Sequence, residues 1–542
     1  EIERAYPQTE VKRHLQDVVE DLIDRRLENL EEIAGQVDRY RMNVVLEHEP
    51  GTACPTVVEN TPTLANLIGG IDQRFVDDEV KPPDHMSIRG GSILQADGGY
   101  LVLDARDVLS EPGAWKVLVR TLRTGKLEIT DTEVGPFVRL TPIKPQPIDI
   151  QVKVILIGDP GVYYLLDQFD PDFPQLFKVL AEFDTVIPRD KTGLDQYAAV
   201  IARIAKDDDL LPFDRTAVAA LAEHGARIAA TRNKLSARFS RLADIARESS
   251  FLARRNQQAT VNGDNVRETV RRTKRRADLT SRKFREHLAN GTIRVETSGS
   301  AVGQINGLAV VSAGPITYGF PARITASIGP GSSGVINIER ESALSGAIHT
   351  KGFFILSGLL RNLLKTDHPL TFDASIAFEQ SYGGIDGDSA SGAEICCLLS
   401  ALTEIPIRQS LAMTGAIDQM GSILAIGGVN EKIEGFFDVC RDIGMSGEQG
   451  VIIPRANADE LMLRHDVVEA CSRGEFAVYP VDNVLEALDI LLERSGEDYA
   501  SLLDIARTRA REYWEMTRQF RPEAAAKHDL PATRAAAARE PA

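Results

Sequence analysis

Residues 383–406 read GGIDGDSASGAEICCLLSALTEIP, and the reading of the larger part of the chain turns on them. A strand pattern, DASIAFEQ at 373–380, runs into a Gly-rich turn with Ser389 at its end. The next stretch has the apolar content of a buried helix and stops before Pro406. This order sets a hydroxyl at a helix amino terminus, where unpaired backbone N–H groups and the helix dipole favour a developing oxyanion. The small neighbours Gly387, Ala390, Ser391 and Gly392 leave room for a substrate backbone. The same serine also fits an ordinary helix N-cap, so chemistry requires a base within its reach.

None of His85, His349 and His368, among the nine histidines, stands in a recognisable triad context. The remaining choice is a lysine whose pKa is lowered by burial. Bringing it from about 10.4 to near 7 takes about 4 kcal/mol of desolvation held by the fold. Lys432 is the candidate, in TGAIDQMGSILAIGGVNEKIEGFFDVCRDIG at 414–444. There Gly427 and Gly428 precede a helix with Ile433, Phe436, Phe437, Val439 and Ile443 as apolar positions. The dipole at a helix start disfavours a cation, which pushes the same way as burial. An exposed surface lysine is the plain alternative for Lys432 taken alone.

Serine and lysine together, in this order and 43 positions apart, resemble the proteolytic domain of Lon proteases, which use a Ser-Lys dyad. The resemblance runs from GQINGLAV (303–310) through INIERE (336–341) and GAIHTKGFFILSG (346–358) to EALDILL (486–492). It implies that Ser389 is the nucleophile and that Lys432 is the general base and later the general acid. It also implies that Thr414, in the TG pair before the lysine helix, hydrogen-bonds near the amine. Asp386 and Asp388 match acidic residues that B-type and C-type members carry before the serine. Asp386 either holds Lys432 charged in a resting site or caps a turn. The histidine of A-type members is absent; Ala377, Phe378 and Glu379 occupy that region.

On either side of this pair, an N-terminal helical segment is expected over 1–55 and an α/β module over 56–188. A helical lid-like domain follows over 189–290, the α+β proteolytic domain over 291–496, and a helix with an Ala/Pro tail without core pattern over 497–542. In the module, YLVLD (100–104) and VKVILIGD (152–159) are apolar runs closed by Asp, the pattern of buried parallel strands. TGKLEITDTEVGPFVRL (124–140) alternates like a hairpin. Residues 60–285 resemble the AAA+ module of Lon-like proteins, but no GxxxxGK[ST] phosphate cradle occurs. Asp104 closes the strand that would position magnesium, with Ala105 where a second acid would polarise water. Asp159 and Lys178 stand where a sensor Asn and a neighbour-reaching Arg are common, and Arg238 is a lid-sensor candidate or a plain surface residue. These features resemble a C-type Lon-like protein with a scaffold module and ATP-independent proteolysis. The alternative is a fragment whose P-loop lies upstream of Glu1.

The 79 acidic residues against 62 basic ones leave a net charge of −17, which does not favour a phosphate backbone as partner. No apolar run is long enough for a membrane span, and five cysteines without a CxxC pair fit a reducing cytoplasm rather than disulfides or structural zinc. No cofactor or metal is expected. The resemblance implies a homo-oligomeric, hexameric ring acting on unfolded or misfolded polypeptides. Two rivals are a non-catalytic ring that holds unfolded chains, and a nucleic-acid-binding regulator using the basic stretch 267–285. The bland alternative for that stretch is a solvated face or a subunit contact.

Overall fold

The computed structural model describes residues 8–26, 40–47, 53–72, 74–76, 79–81, 83–130, 143–314, 316–492 and 499–520. The chain forms two compact units, 1–182 and 183–542.

In the first unit, the expected amino-terminal helix is present as Thr9–Arg26. Residues 41–47 are not helical: the Asn43 amide donates to the carbonyls of His85 and Ile88 at 2.9 and 2.7 Å. The two apolar runs form neighbouring parallel strands, in the order Thr56–Glu59, Tyr100–Asp104, Lys153–Ile157. The hairpin differs from expectation. Lys126–Leu127 pairs antiparallel with Ile148–Asp149, and 131–142 lie outside the described residues. One face of the parallel sheet is packed: Leu101 and Leu103 join Leu67, Ile93 and Leu118 in a core. The other face carries Val58, Val102 and Ile155 in register, with Ile157 next along. Val58, Ile155 and Ile157 on it are 61%, 45% and 57% exposed.

The second unit opens with a helical subdomain of Lys191–Asp207, Arg215–Ala229, Phe239–Arg255, Gly263–Ala277 and Leu279–Ala289. Three of these helices start at side-chain caps. Asp190 accepts from Gly193 N, Asp214 accepts from Ala217 N, and Asn262 forms a reciprocal capping box with Asn265. Tyr197, Ile201, Leu221, Leu242 and Val266 fill the space between them.

A seven-stranded mixed sheet follows, in the order Gly334–Asn337, Phe372–Phe378, Ile316–Pro330, Gln304–Ala313, Leu411–Met413, Gly450–Pro454, Ala477–Val481. The last four strands are mutually parallel. Successive residues of one strand go to different cores, as the pleat requires. Met413 and Ile452 pack with the helix Ser391–Thr403 on one side. Ala412, Val451 and Ile453 pack with Val429–Ile443 on the other. The first of these helices, here the serine helix, is buried along its whole length, as its all-round apolar composition demands. The second, the lysine helix, buries Ile433, Phe436, Phe437 and Val439, whereas Ile443 is largely exposed. The C-terminal helix Tyr499–Phe520 adds Leu502 and Ala506 to the first core. The Ala/Pro tail from 521 lies outside the described residues.

Candidate active site

The central strand Leu411–Met413 is entered from the serine helix on one face and left toward the lysine helix on the other. Both helices therefore begin near the carboxyl end of the parallel strands, the usual place for a site in such sheets. Thr414 extends that strand end, with its N–H bonded to the Ile452 carbonyl at 3.0 Å. Gly415 N donates to the Ser389 carbonyl at 2.8 Å, and Gly392 N to the Gly415 carbonyl at 3.0 Å. Ser391 braces the turn: its hydroxyl donates to the Asp388 carbonyl at 2.7 Å and accepts from Ile417 N at 3.1 Å.

Lys432 Nζ lies 2.7 Å from Ser389 Oγ and 3.0 Å from Thr414 Oγ1, and the threonine hydroxyl donates to the Ser389 carbonyl at 3.1 Å. Lys432 is 2% exposed and Thr414 fully buried, whereas Ser389 stays partly open. Burial lowers the Lys432 pKa to about 8, against the charge of Asp388, which favours the ammonium. The amides of Ser389 and Ala390, at the start of the serine helix, make no hydrogen bond among the described residues.

Two glycines let the lysine come this close. A Cβ at Gly435 would stand 2.0 Å from the Gly319 carbonyl oxygen, and one at Gly319 would stand 2.2 Å from the Glu431 oxygen. The lysine helix thus crosses the strand Ile316–Pro330 backbone against backbone, one turn from Lys432.

The two acidic residues before the serine differ in what they touch. The Asp386 carboxylate accepts from Gly387 N, Ile348 N and His349 N at 2.9, 3.1 and 3.3 Å, which lowers its pKa and caps the helix Ala347–Leu364. The Asp386 carboxylate is engaged as a helix cap, and the charge of Asp388 favours the Lys432 ammonium. A buried group that the sequence reading passed over sits beneath this loop. Glu394, in the first turn of the serine helix, is 0% exposed, and neither carboxyl oxygen has a hydrogen-bond partner among the described residues. Its nearest charged-type neighbour is His349 Nε2 at 3.6 Å, and burial raises its pKa to about 8. Burial likewise lowers the His349 pKa, so acid and imidazole face each other uncharged at neutral pH.

The basic stretch 267–285 is tied up in ion pairs. Arg267 meets Asp264, Arg271 and Arg272 meet Glu268, Arg276 meets Glu248, and Lys274 and Arg285 reach the lysine helix.

Asp104 Oδ1 accepts from Arg106 N and Asp107 N, so this acid caps the helix Ala105–Ser110. Asp159 caps Pro160–Phe169 and pairs with Arg106. Ala105 is buried, and both Lys178 and Arg238 are exposed. The residues present do not fit a nucleotide–magnesium site: the lysine of a phosphate cradle and the second acid are missing, and both strand-end carboxylates satisfy helix N–H groups.

Family models extend the picture. The LonB-like AAA domain matches residues 52–184, the archaeal LonB AAA+ ATPase lid domain residues 212–276, and the Lon protease (S16) C-terminal proteolytic domain residues 279–494. The class is therefore an AAA+-type module with its lid, followed by a proteolytic domain. Among similar proteins, a Lon protease homolog of Escherichia coli (strain K12) is 30% identical over 484 residues, 88% of this chain and 80% of that protein. A second homolog, from Haemophilus influenzae, is 34% identical over 413 residues, 74% of this chain and 66% of its own length. An archaeal Lon protease of Archaeoglobus fulgidus is 28% identical, and the match covers 76% of this chain and 64% of that protein. The chain belongs to the Lon protease family. Among the described residues, no helix is long and apolar enough to cross a membrane.

Proposed function

We propose that this chain is a Lon-type serine endopeptidase that cleaves unfolded polypeptides through Ser389 and Lys432, without hydrolysing ATP. The observation that carries the reading is a buried amine 2.7 Å from a half-open serine hydroxyl. As a neutral base, Lys432 Nζ accepts the Ser389 proton while Oγ bonds to the substrate carbonyl carbon. The oxyanion meets the unpaired amides of Ser389 and Ala390 at the helix start. The ammonium then gives its proton to the leaving amine as the C–N bond breaks. Water, deprotonated by Lys432, cleaves the acyl-enzyme and restores the serine. Thr414 orients the base: it accepts an Nζ hydrogen and passes its own to the Ser389 carbonyl, which leaves the amine lone pair facing Oγ. Asp388 stabilises the ammonium once it forms.

ATP independence rests on the missing phosphate cradle, on Ala105, and on the capping roles of Asp104 and Asp159. These losses are also the ground for the C-type assignment. Assembly as a hexameric ring enclosing the sites is part of the same reading and rests on the family resemblance. A cytoplasmic setting fits five free cysteines. A second reading, that the P-loop lies on a segment upstream of Glu1, is favoured by the open apolar face at Val58, Ile155 and Ile157. Parallel sheets are normally covered on both faces.

Casein degradation by the wild type and by Ser389→Ala, each with and without ATP and magnesium, tests the proposal. Equal wild-type rates in both conditions and loss in the variant support it. Cleavage by Ser389→Ala overturns the nucleophile, and strict ATP dependence overturns the scaffold reading in favour of the second.

A further inference from the structure

The lysine helix presents Glu434, Asp438 and Asp442 at four-residue spacing, which places them on one stripe. Lid cations reach all three. Arg227 Nη1 is 2.9 Å from Glu434 and Lys274 Nζ is 3.8 Å from it. Arg285 Nη1 is 3.1 Å from Asp442 and 3.7 Å from Asp438. These cations come from three separate lid helices, Arg215–Ala229, Gly263–Ala277 and Leu279–Ala289. Glu434 is only 4% exposed and also accepts from Arg464 N at 2.9 Å, so its pairs are shielded from solvent. A fourth contact is apolar. Phe284 of the last lid helix lies 4.6 Å, ring to ring, from Phe320. Phe320 adjoins Gly319, whose backbone touches the lysine helix at Glu431 and Lys432. The lid therefore grips both elements that frame the amine: the helix that bears it and the strand the helix crosses.

We propose that the lid is a positioning element for the dyad. Its cations hold the acidic stripe so that the lysine helix keeps the rotation and height at which Nζ meets Ser389, and a lid displaced from the stripe switches hydrolysis off. The proposal rests on the Ser389–Lys432 reading above. It gives the basic stretch 267–285 a function inside the chain, with Arg285 and Lys274 acting through Lys432 rather than on substrate.

The test uses the full chain and the Arg285–Asp442 pair, which lies toward the outer end of the stripe. Arg285→Glu, Asp442→Arg and the exchanged double variant are compared for hydrolysis of a short fluorogenic peptide, and for labelling of Ser389 by a peptidyl boronate. Circular dichroism and thermal melting report folding. Each single variant is expected to lower kcat about tenfold with KM within about twofold, because a misplaced base costs rate more than binding. The exchanged pair should return to within about twofold of wild type. Should Arg285→Glu fail to fold, Arg285→Gln carries the same comparison with a smaller loss. Folded single variants with unchanged kcat, or an exchange that restores stability but not kcat, overturn the lid's role. A wild type that neither cleaves peptide nor labels at Ser389 overturns the dyad reading, and this proposal with it.

Discussion

The two α/β parts of this molecule are built from the same sequence device and put it to different use. In each, an apolar parallel strand ends in a polar residue beside a helix start. In the first unit those residues are Asp104 and Asp159, and their carboxylates satisfy the N–H groups of the helices they precede. In the second unit, Asp386, in the loop before the serine helix, caps a different helix, Ala347–Leu364. Among the described residues the amides of Ser389 and Ala390 make no hydrogen bond, and the strand end is left to Thr414 and the amine. The helix starts of the first unit are thus capped from their own strand ends, whereas the start beside Ser389 is not.

This contrast can be broken from either side. The largest effect is expected from Gly435→Ala. Its methyl has no room against the Gly319 carbonyl, so the lysine helix must move away from the strand. A shift near 1 Å at the base should lower kcat about 100-fold, read by peptide hydrolysis on folded protein. A variant as active as wild type would show that the amine is placed by other contacts.

Glu394→Gln sharpens the same side. The wild-type carboxyl has its pKa raised from 4.5 to about 8 in the folded chain. Between those limits the folded state binds more protons than the unfolded one, so stability falls as pH rises. Glutamine keeps the shape of the protonated acid and does not titrate. The variant should match wild type below about pH 4.5 and gain up to a few kcal/mol by pH 8, measured by denaturant unfolding. A gain independent of pH would mean that the acid does not ionise in this window. Asp104→Ala, in the quiet unit, should cost about 1 kcal/mol for a lost cap and leave peptide hydrolysis unchanged. A fall in hydrolysis would give the strand end a role beyond capping.

What was readable in advance follows the range over which each signal acts. Ser389 and Lys432 each sit in a local pattern of turn glycines followed by an apolar helix, and local patterns survive in one dimension. Asp386 stayed open because its cap is completed by Ile348 and His349, nearly forty positions earlier. Glu394 reads like any acid in a helix's first turn, where the dipole favours it; only packing on every side of that helix makes it a buried acid. The basic run at 267–285 shows its charge but not its partners, since Glu434 and Asp438 lie over 150 residues away. Gly319 and Gly435 carry no individual signal, because a close backbone crossing is a property of the pair. Of the hairpin expected at 124–140, the described part pairs elsewhere, Leu127 with Ile148, and 131–140 lie outside the described residues.

Lys432 must be neutral when it meets Ser389, and the pH dependence of boronate labelling and of kcat/KM on a short peptide reads that protonation state. Both should rise with pH through an apparent pKa near 8, the value to which burial lowers the amine, and both should vanish in Lys432→Met. A profile that rises only near the ordinary lysine range, about 10.4, or labelling that persists in Lys432→Met, would contradict it.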